Sequence, residues 1–247
     1  MTTTTTTTTA TAATAEAAAY VERRAEIETY VDRTAAQAWA RLTSDAPVGR
    51  VRATVRAGRD RMRATLMSWL PTDLRGMRLL DAGCGTGALA VVAALRGANV
   101  LAIDLSPTLV DLARQRQPVF DGGGCIDFRS GDMLDPQLGS FDYVVGMDSL
   151  IHYEPGDAVE VIAGLAQRTR HAVLFTFAPS SPVLELFKAA GKLFPRGDRS
   201  PAIVPVAERR LRHRLTAHPQ LQAWTTGRSQ RVASGFYTSQ AMELVRS

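Results

Sequence analysis

The feature that most narrows the fold is a glycine-rich turn, Asp81-Ala82-Gly83-Cys84-Gly85-Thr86-Gly87, set between a short apolar strand, Met77–Asp81, and a helix predicted to run to Arg96. Glycines at alternate positions let the backbone come close to a ligand, and the helix N-terminus adds amide donors and the positive end of its dipole. The chain beyond this turn is regular. A second strand, Asn99–Ile103, ends at Asp104; Ser106 is placed to cap the next helix, and Pro107 suits its first turn. Strands are predicted at Cys125–Arg129, Phe141–Met147 and His171–Ala178, with a helix over Asp157–Thr169. Strands alternating with helices require right-handed crossovers, hence a parallel sheet covered on both faces. Trp224–Val232 and Tyr237–Val245, joined near Ser234-Gly235, predict a hairpin that gives the sheet an antiparallel edge. The expected fold class is therefore α/β: a mostly parallel, seven-stranded, Rossmann-like sheet.

Ahead of this core the pattern is helical from Glu16 to Leu70. Residues 1–15 are almost all threonine and alanine, without periodicity, and are expected to be a disordered tail. Residues 16–45 are expected to form a helical N-terminal arm or lid carrying Tyr30 and Trp39, and residues 46–247 the ligand-binding domain. Within that domain, 180–220 is expected to be a substrate-side helical insertion: a helix over Ser181–Phe194, a loop over Pro195–Pro205 and a helix over Val206–His218. In the helix that Pro47 opens, Val51, Val55, Gly58, Met62, Leu66 and Trp69 recur at three- and four-residue spacing and predict one buried face. Arg52, Arg56, Arg59 and Arg63 form a stripe beside it.

Composition closes some classes. The chain's 247 residues are 45% hydrophobic, which suits one ordinary core. The start lacks the basic and apolar regions of a secretory signal, no apolar run is long enough to span a membrane, and the two cysteines, Cys84 and Cys125, form no framework, so a cytoplasmic protein is expected. The net charge of +5 rests almost wholly on arginine, whose planar fork suits carboxylates and phosphates. That charge admits an anionic small molecule, nucleic acid or a membrane surface; without an aromatic-interleaved strand face, nucleic acid ranks last. His213 and His218 lack partners at ligand spacing, so no protein-bound metal is expected.

Asp104 lies 21 positions after Gly83, where a carboxylate accepts both hydroxyls of a ribose. The spacing alone does not choose the nucleotide, because Gly83-x-Gly85-x-x-Ala88 also meets the dinucleotide fingerprint, and a nicotinamide-dependent oxidoreductase stays open. Against it stand Asp81, placed to accept from an ammonium group, the lack of a Tyr-x-x-x-Lys pair, and the little chain left for a separate substrate domain.

Leu79–Gly87, Asp104-Leu105-Ser106-Pro107, Gly131-Asp132-Met133 and Phe141-Asp142-Tyr143-Val144-Val145 together resemble the class I S-adenosylmethionine-dependent methyltransferases. The resemblance implies that Asp81, Gly83, Gly85 and Gly87 hold the methionine part of the cofactor and that Asp104, with Leu105, holds its ribose. It further implies that Asp132 and Met133 flank its adenine, and that the segment from Asp148 to His152 faces the transferred methyl. Outside this core, Tyr30-Val31-Asp32-Arg33-Thr34, Trp39-Ala40-Arg41-Leu42, Arg50–Arg59, Asp148-Ser149-Leu150-Ile151-His152-Tyr153, Phe175–Pro179, Leu193–Arg199 and Ser234-Gly235-Phe236-Tyr237-Thr238-Ser239 are similar to the magnesium-protoporphyrin O-methyltransferases of bacteriochlorophyll biosynthesis. That family often has Phe at the position of Val31 and Asn at that of Asp32.

This narrower resemblance implies methyl transfer to a propionate carboxylate of magnesium-protoporphyrin IX, giving the monomethyl ester and S-adenosylhomocysteine. It leaves open a methyltransferase for another small acceptor, such as a quinone-like phenol. It implies catalytic roles for His152 and Tyr30, and substrate contacts from Tyr30, Trp39, Arg52, Arg56 and His152. It also implies handover from the porphyrin-binding subunit of magnesium chelatase; a monomer with at most peripheral membrane contact is expected. A free carboxylate titrates at roughly 4 to 5 and is already ionised at neutral pH, so residues that orient and cover are expected rather than a strong base.

Overall fold

The computed structural model describes Ala25 and residues 49–121, 123–180 and 203–247. Tyr30, Trp39, the expected tail and most of the expected arm, and the predicted helix over Ser181–Phe194 lie outside the described residues. The first described helix is α1 (Arg50–Ser68); the sheet strands are then β1 (Arg78–Ala82), β2 (Asn99–Asp104), β3 (Cys125–Ser130), β4 (Phe141–Gly146), β5 (Thr169–Phe177), β6 (Trp224–Ser234) and β7 (Tyr237–Arg246). Between them run α2 (Ala88–Leu95), α3 (Pro107–Arg116), α4 (Pro155–Gln167) and α5 (Glu208–Ala217).

The strands form one seven-stranded sheet in the order β3-β2-β1-β4-β5-β7-β6. The β1–β2, β1–β4, β2–β3 and β4–β5 pairs are parallel, and the β5–β7 and β6–β7 pairs antiparallel. The predicted hairpin is thus present, with its second strand inserted beside β5 and its first forming the edge. Side chains alternate across the sheet, so neighbours in one strand enter different cores. Leu80, Leu101, Val144 and Phe175 join Val159 and Ile162 of α4 and Leu211 and Leu215 of α5. On the other face Leu79, Val100, Val145 and Leu174 join Met62 and Leu66 of α1 with Ala90 and Ala93 of α2.

Local chemistry explains the boundaries. The Ser106 side chain accepts from the Leu109 amide at 3.2 Å with Pro107 at the first helical position, as its sequence predicts. On α1, Gly58, Met62 and Leu66 are buried as the spacing predicts, but Val51, in the first turn, is 54% exposed. Gly58 is where α1 comes closest to the hairpin: a Cβ there would lie 2.5 Å from the Tyr237 ring. The predicted helix from Val206 starts instead at Glu208, since Val206 pairs with Pro179 in an isolated bridge and its amide donates to Ala178. Thr169, predicted to end a helix, begins β5, its hydroxyl donating to the Leu165 carbonyl at 2.7 Å. At the sheet edge the β6–β7 register shifts between Thr226 and Ser229; the Arg212 guanidinium donates to the Thr226 and Gly227 carbonyls, and Arg228 pairs with Glu243.

Candidate active site

Strand β1 is flanked by β2, which the chain reaches next, and by β4, which it reaches two strands later. The sheet order therefore reverses between β1 and β4, and in open α/β sheets ligands bind in the crevice at such a reversal. A cavity of about 560 Å³ opens there, at the carboxyl ends of these strands. Its walls bring together Asp81, Gly83, Gly85, Asp104, Leu105, Met133, Asp148 and His152 with Arg56, Arg59 and Arg63 of α1. Gly87 caps α2 just behind the loop, and neither it, Asp132 nor Arg52 lines the cavity. Asp132 instead accepts from the Leu134 amide at 2.9 Å, and Arg52 is exposed on α1.

The loop's hydrogen bonds decide what it can hold. The Gly83 and Cys84 amides donate to the Ile103 carbonyl, the Gly87 amide to the Cys84 carbonyl, and the Gly85 amide to Asp104 Oδ2 at 2.8 Å. A pyrophosphate site needs such amides aimed at the ligand, and these four are committed within the protein. Gly83 and Gly85 have φ of 80° and 53°, the left-handed region where glycine is at no disadvantage. A Cβ on Gly85 would meet nothing within 4 Å, so that glycine keeps a clear approach to the backbone rather than serving packing.

Electrostatics agrees. Asp81 is 1% exposed and accepts from the Ala90 amide at 3.1 Å. Burial pushes its carboxyl up to about 7, the nearby Asp104 charge adds to the rise, and the Ala90 amide opposes it. Burial also raises Asp104, against the amides of Ser106, Gly85 and Leu105. Two buried carboxyls that resist ionisation favour a ligand bringing hydroxyl donors or positive charge, and disfavour phosphate. Across the cavity α1 presents Arg56, Arg59 and Arg63, of which Arg59 pairs with Asp148 and Arg63 with Asp60. One end of the cavity suits a cation with a ribose, the other an anion.

Asp148, expected among the cofactor contacts, lines the cavity but gives its carboxylate to the protein. Arg59 donates to Oδ2 at 2.7 Å, Tyr237 to both oxygens at 3.1 Å, Ser239 to Oδ1 at 3.0 Å and Thr176 to Oδ1 at 3.2 Å. The Asp148 amide donates back to Thr176 at 2.7 Å. With φ at 58°, Asp148 is the one non-glycine residue among those described with positive φ. It ties α1, β5 and β7 to the end of β4, and so sets where Ser149–His152 stand. Sequence reasoning missed Arg59, Thr176, Tyr237 and Ser239 as its partners; each lay in a family-matching segment, and none of those segments says that the side chain turns to Asp148.

Ser149 was also missed. Its hydroxyl is buried with no hydrogen-bond partner, and its Cβ would lie 2.4 Å from a Cβ on Gly83, so it is packed against the glycine loop. Of the expected insertion, Ile203 lines the cavity, while α5 lies away from it, its Leu211 and Leu215 packed with Val159 and Ile162 of α4. Among the described residues, no group of three or more His, Cys, Asp or Glu is placed to hold a metal ion. Among the same residues, no helix is long and apolar enough to cross a membrane.

Comparison with known proteins places this cavity in context. A family model described as magnesium-protoporphyrin IX methyltransferase C-terminus matches residues 146–246, and a methyltransferase domain model matches residues 79–171. The chain is 49% identical over 225 residues to the magnesium-protoporphyrin O-methyltransferase of Rhodobacter capsulatus, covering 91% of this chain and 97% of that one. Its fold superposes on the crystal structure of the magnesium protoporphyrin IX methyltransferase from Synechocystis PCC 6803 with bound SAH, with a TM-score of 0.78 and 29% identity over 90% of this chain and 99% of that one. The same Synechocystis protein with bound SAM gives a TM-score of 0.73.

Proposed function

This chain belongs to the magnesium-protoporphyrin O-methyltransferase family, and from that premise we propose how its cavity performs the reaction. The protein is an S-adenosylmethionine-dependent methyltransferase acting on a propionate carboxylate of magnesium-protoporphyrin IX. Its products are the monomethyl ester and S-adenosylhomocysteine. The cofactor supplies a sulfonium methyl: the carboxylate oxygen forms the new bond to carbon as the sulfur–carbon bond breaks, and sulfur leaves as a neutral thioether. No proton moves, so the protein's work is placement.

Asp81 accepts from the cofactor's ammonium and Asp104 from its ribose hydroxyls, while Met133, 6% exposed, packs against the adenine. Asp132 shapes that turn from behind. His152 orients the reacting propionate, Tyr30 covers it, and Arg56 attracts it along the α1 wall; Trp39 adds to the cover. The observation that carries this reading is the division of one cavity into a buried carboxyl end, at a loop with four amides bonded within the protein, and an arginine-bearing wall. It supports a cationic nucleoside beside an anionic acceptor and counts against a pyrophosphate.

The test is methyl transfer from labelled S-adenosylmethionine to magnesium-protoporphyrin IX, with separation of the porphyrin products. Label in a monomethyl ester is expected. Binding of S-adenosylmethionine without transfer to porphyrin, but with transfer to a phenolic acceptor, would overturn the substrate. We also propose that the chain acts as a monomer and takes its porphyrin from the chelatase's porphyrin-binding subunit. Methylation no faster with porphyrin loaded on that subunit than with free porphyrin would refute the handover.

A further inference from the structure

The described residues expose five large apolar side chains; Leu95 and Val119 stand apart from the cavity, and the other three lie at or beside its mouth. Phe236 is 81% exposed and Ile203 47%, and both line the cavity. Val55 of α1 lines it too, and Val51, 54% exposed, lies one helical turn from Val55 on the same face. An apolar patch rimmed by charged groups at a cavity mouth marks a surface meant to be covered.

Phe236 is held there by its neighbours. Gly235, at φ 58°, seats the hairpin turn on α1 so closely that a Cβ would lie 2.3 Å from Thr54 Oγ1. Arg61 donates to the Ala233 carbonyl at 2.8 Å, and Tyr237, only 9% exposed, is anchored on Asp148. The backbone on both sides is therefore fixed, while the ring between them faces solvent. Folding does not explain such a placement, since the same ring turned inward would contribute to the core.

Volume says what covers it. A cavity of about 560 Å³ is the size that encloses one ligand of moderate size. The cofactor and the reacting propionate occupy it, which leaves the flat ring system of the acceptor at the mouth. Resting on the substrate reading above, we propose that Phe236 is the platform on which the tetrapyrrole stacks, with Val55 and Ile203 bordering it and Arg56 beside them. Aromatic faces stack in offset fashion on flat conjugated ligands, and a platform on a rigid turn costs no ordering when the ligand arrives.

The test is titration of the whole protein with magnesium-protoporphyrin IX, followed by its visible absorbance, for wild type, Phe236→Ala, Phe236→Leu and Phe236→Tyr. Steady-state kinetics and S-adenosylmethionine affinity are measured in parallel. The alanine variant is expected to bind porphyrin about tenfold more weakly, the loss of one stacking contact. The loss falls on KM rather than kcat, with cofactor affinity as the control. Tyrosine restores binding; leucine, apolar but not aromatic, restores it only in part. If wild type and Phe236→Ala bind the porphyrin equally well, the platform is refuted while the substrate stands. If wild type itself does not bind the porphyrin, the substrate reading falls first and the platform with it. If wild type sediments as a dimer and Phe236→Ala as a monomer, the ring covers a second copy of the chain and the inference is overturned.

Discussion

Replacing Asp148 by asparagine tests the junction beneath the active site. Asn tolerates the left-handed backbone that Asp148 adopts, so the substitution removes charge without adding strain. The Asp148 side chain is 5% exposed and that of Arg59 22%, so water replaces the lost partner only in part. A hydrogen bond to a charged group contributes about 1.5–3 kcal/mol, and removing one partner of a fully buried ion pair costs about 3–5 kcal/mol. Partial exposure of Arg59 and the oxygen that Asn retains place Asp148→Asn at about 2–3 kcal/mol. In a chain of this size that lowers the melting temperature by roughly 4–12 °C. Asp148→Ala loses every acceptor and also the short polar side chain that lets Asp and Asn tolerate the left-handed region, so it should cost more than Asp148→Asn. Denaturant unfolding of Asp148→Asn, Arg59→Met and the double variant measures the coupling. The double variant should lose less than the sum of the single changes. Additive losses, or a loss below about 0.5 kcal/mol for Asp148→Asn, would show that the junction does not hold α1 to the sheet and refute the reasoning.

Three further outcomes are expected from the same geometry. Folded Asp81 keeps its proton up to about pH 7, whereas the unfolded carboxyl has lost it near 4, so the cofactor-free protein loses stability as pH rises from about 4 to about 7. An ammonium beside Asp81 favours its ionised form, so S-adenosylmethionine binding releases a proton and tightens as pH rises towards 7, by up to about tenfold per pH unit. Calorimetry in buffers of different ionisation enthalpy measures both, and an Asp81→Asn protein that kept this pH dependence would exclude Asp81 as its source. His152→Gln should lower kcat about 10²-fold through lost orientation, with no recovery at high pH; a loss under threefold removes His152 from the reaction. Arg56→Ala should raise the KM for porphyrin about tenfold, while Arg52→Ala, outside the cavity, changes it less than about twofold. The reverse order would place the anion on another face of α1.

How much of the structure was legible in the sequence depends on the range of each signal. Strand alternation, the Ser106–Pro107 cap and the glycine loop are local patterns, and the structure carries each of them within a residue or two. The inward face of α1 was legible at Gly58, Met62 and Leu66 but overextended to Val51, because periodicity does not say where the partner surface ends. Asp148, expected among the cofactor contacts, lines the cavity, and its partners were hidden. Tyr237 and Arg59 each lie 89 positions from it, in elements whose meeting only the sheet order specifies. Ser149 and Phe236 sat inside motifs that marked the family without saying which way their side chains turn.

The outer strand of the sheet has a consequence for the protein in crowded solution. A bare β-edge invites a strand from another molecule, and sheets escape this by bending the ladder or placing cations along it. β6 has both protections. The register breaks between Thr226 and Ser229, and the carbonyls of Thr226 and Gly227 are already taken by Arg212. A neighbouring chain approaching this side finds a skewed backbone and a guanidinium where it would need free acceptors, so resistance to strand-by-strand aggregation is written into the same edge that completes the fold.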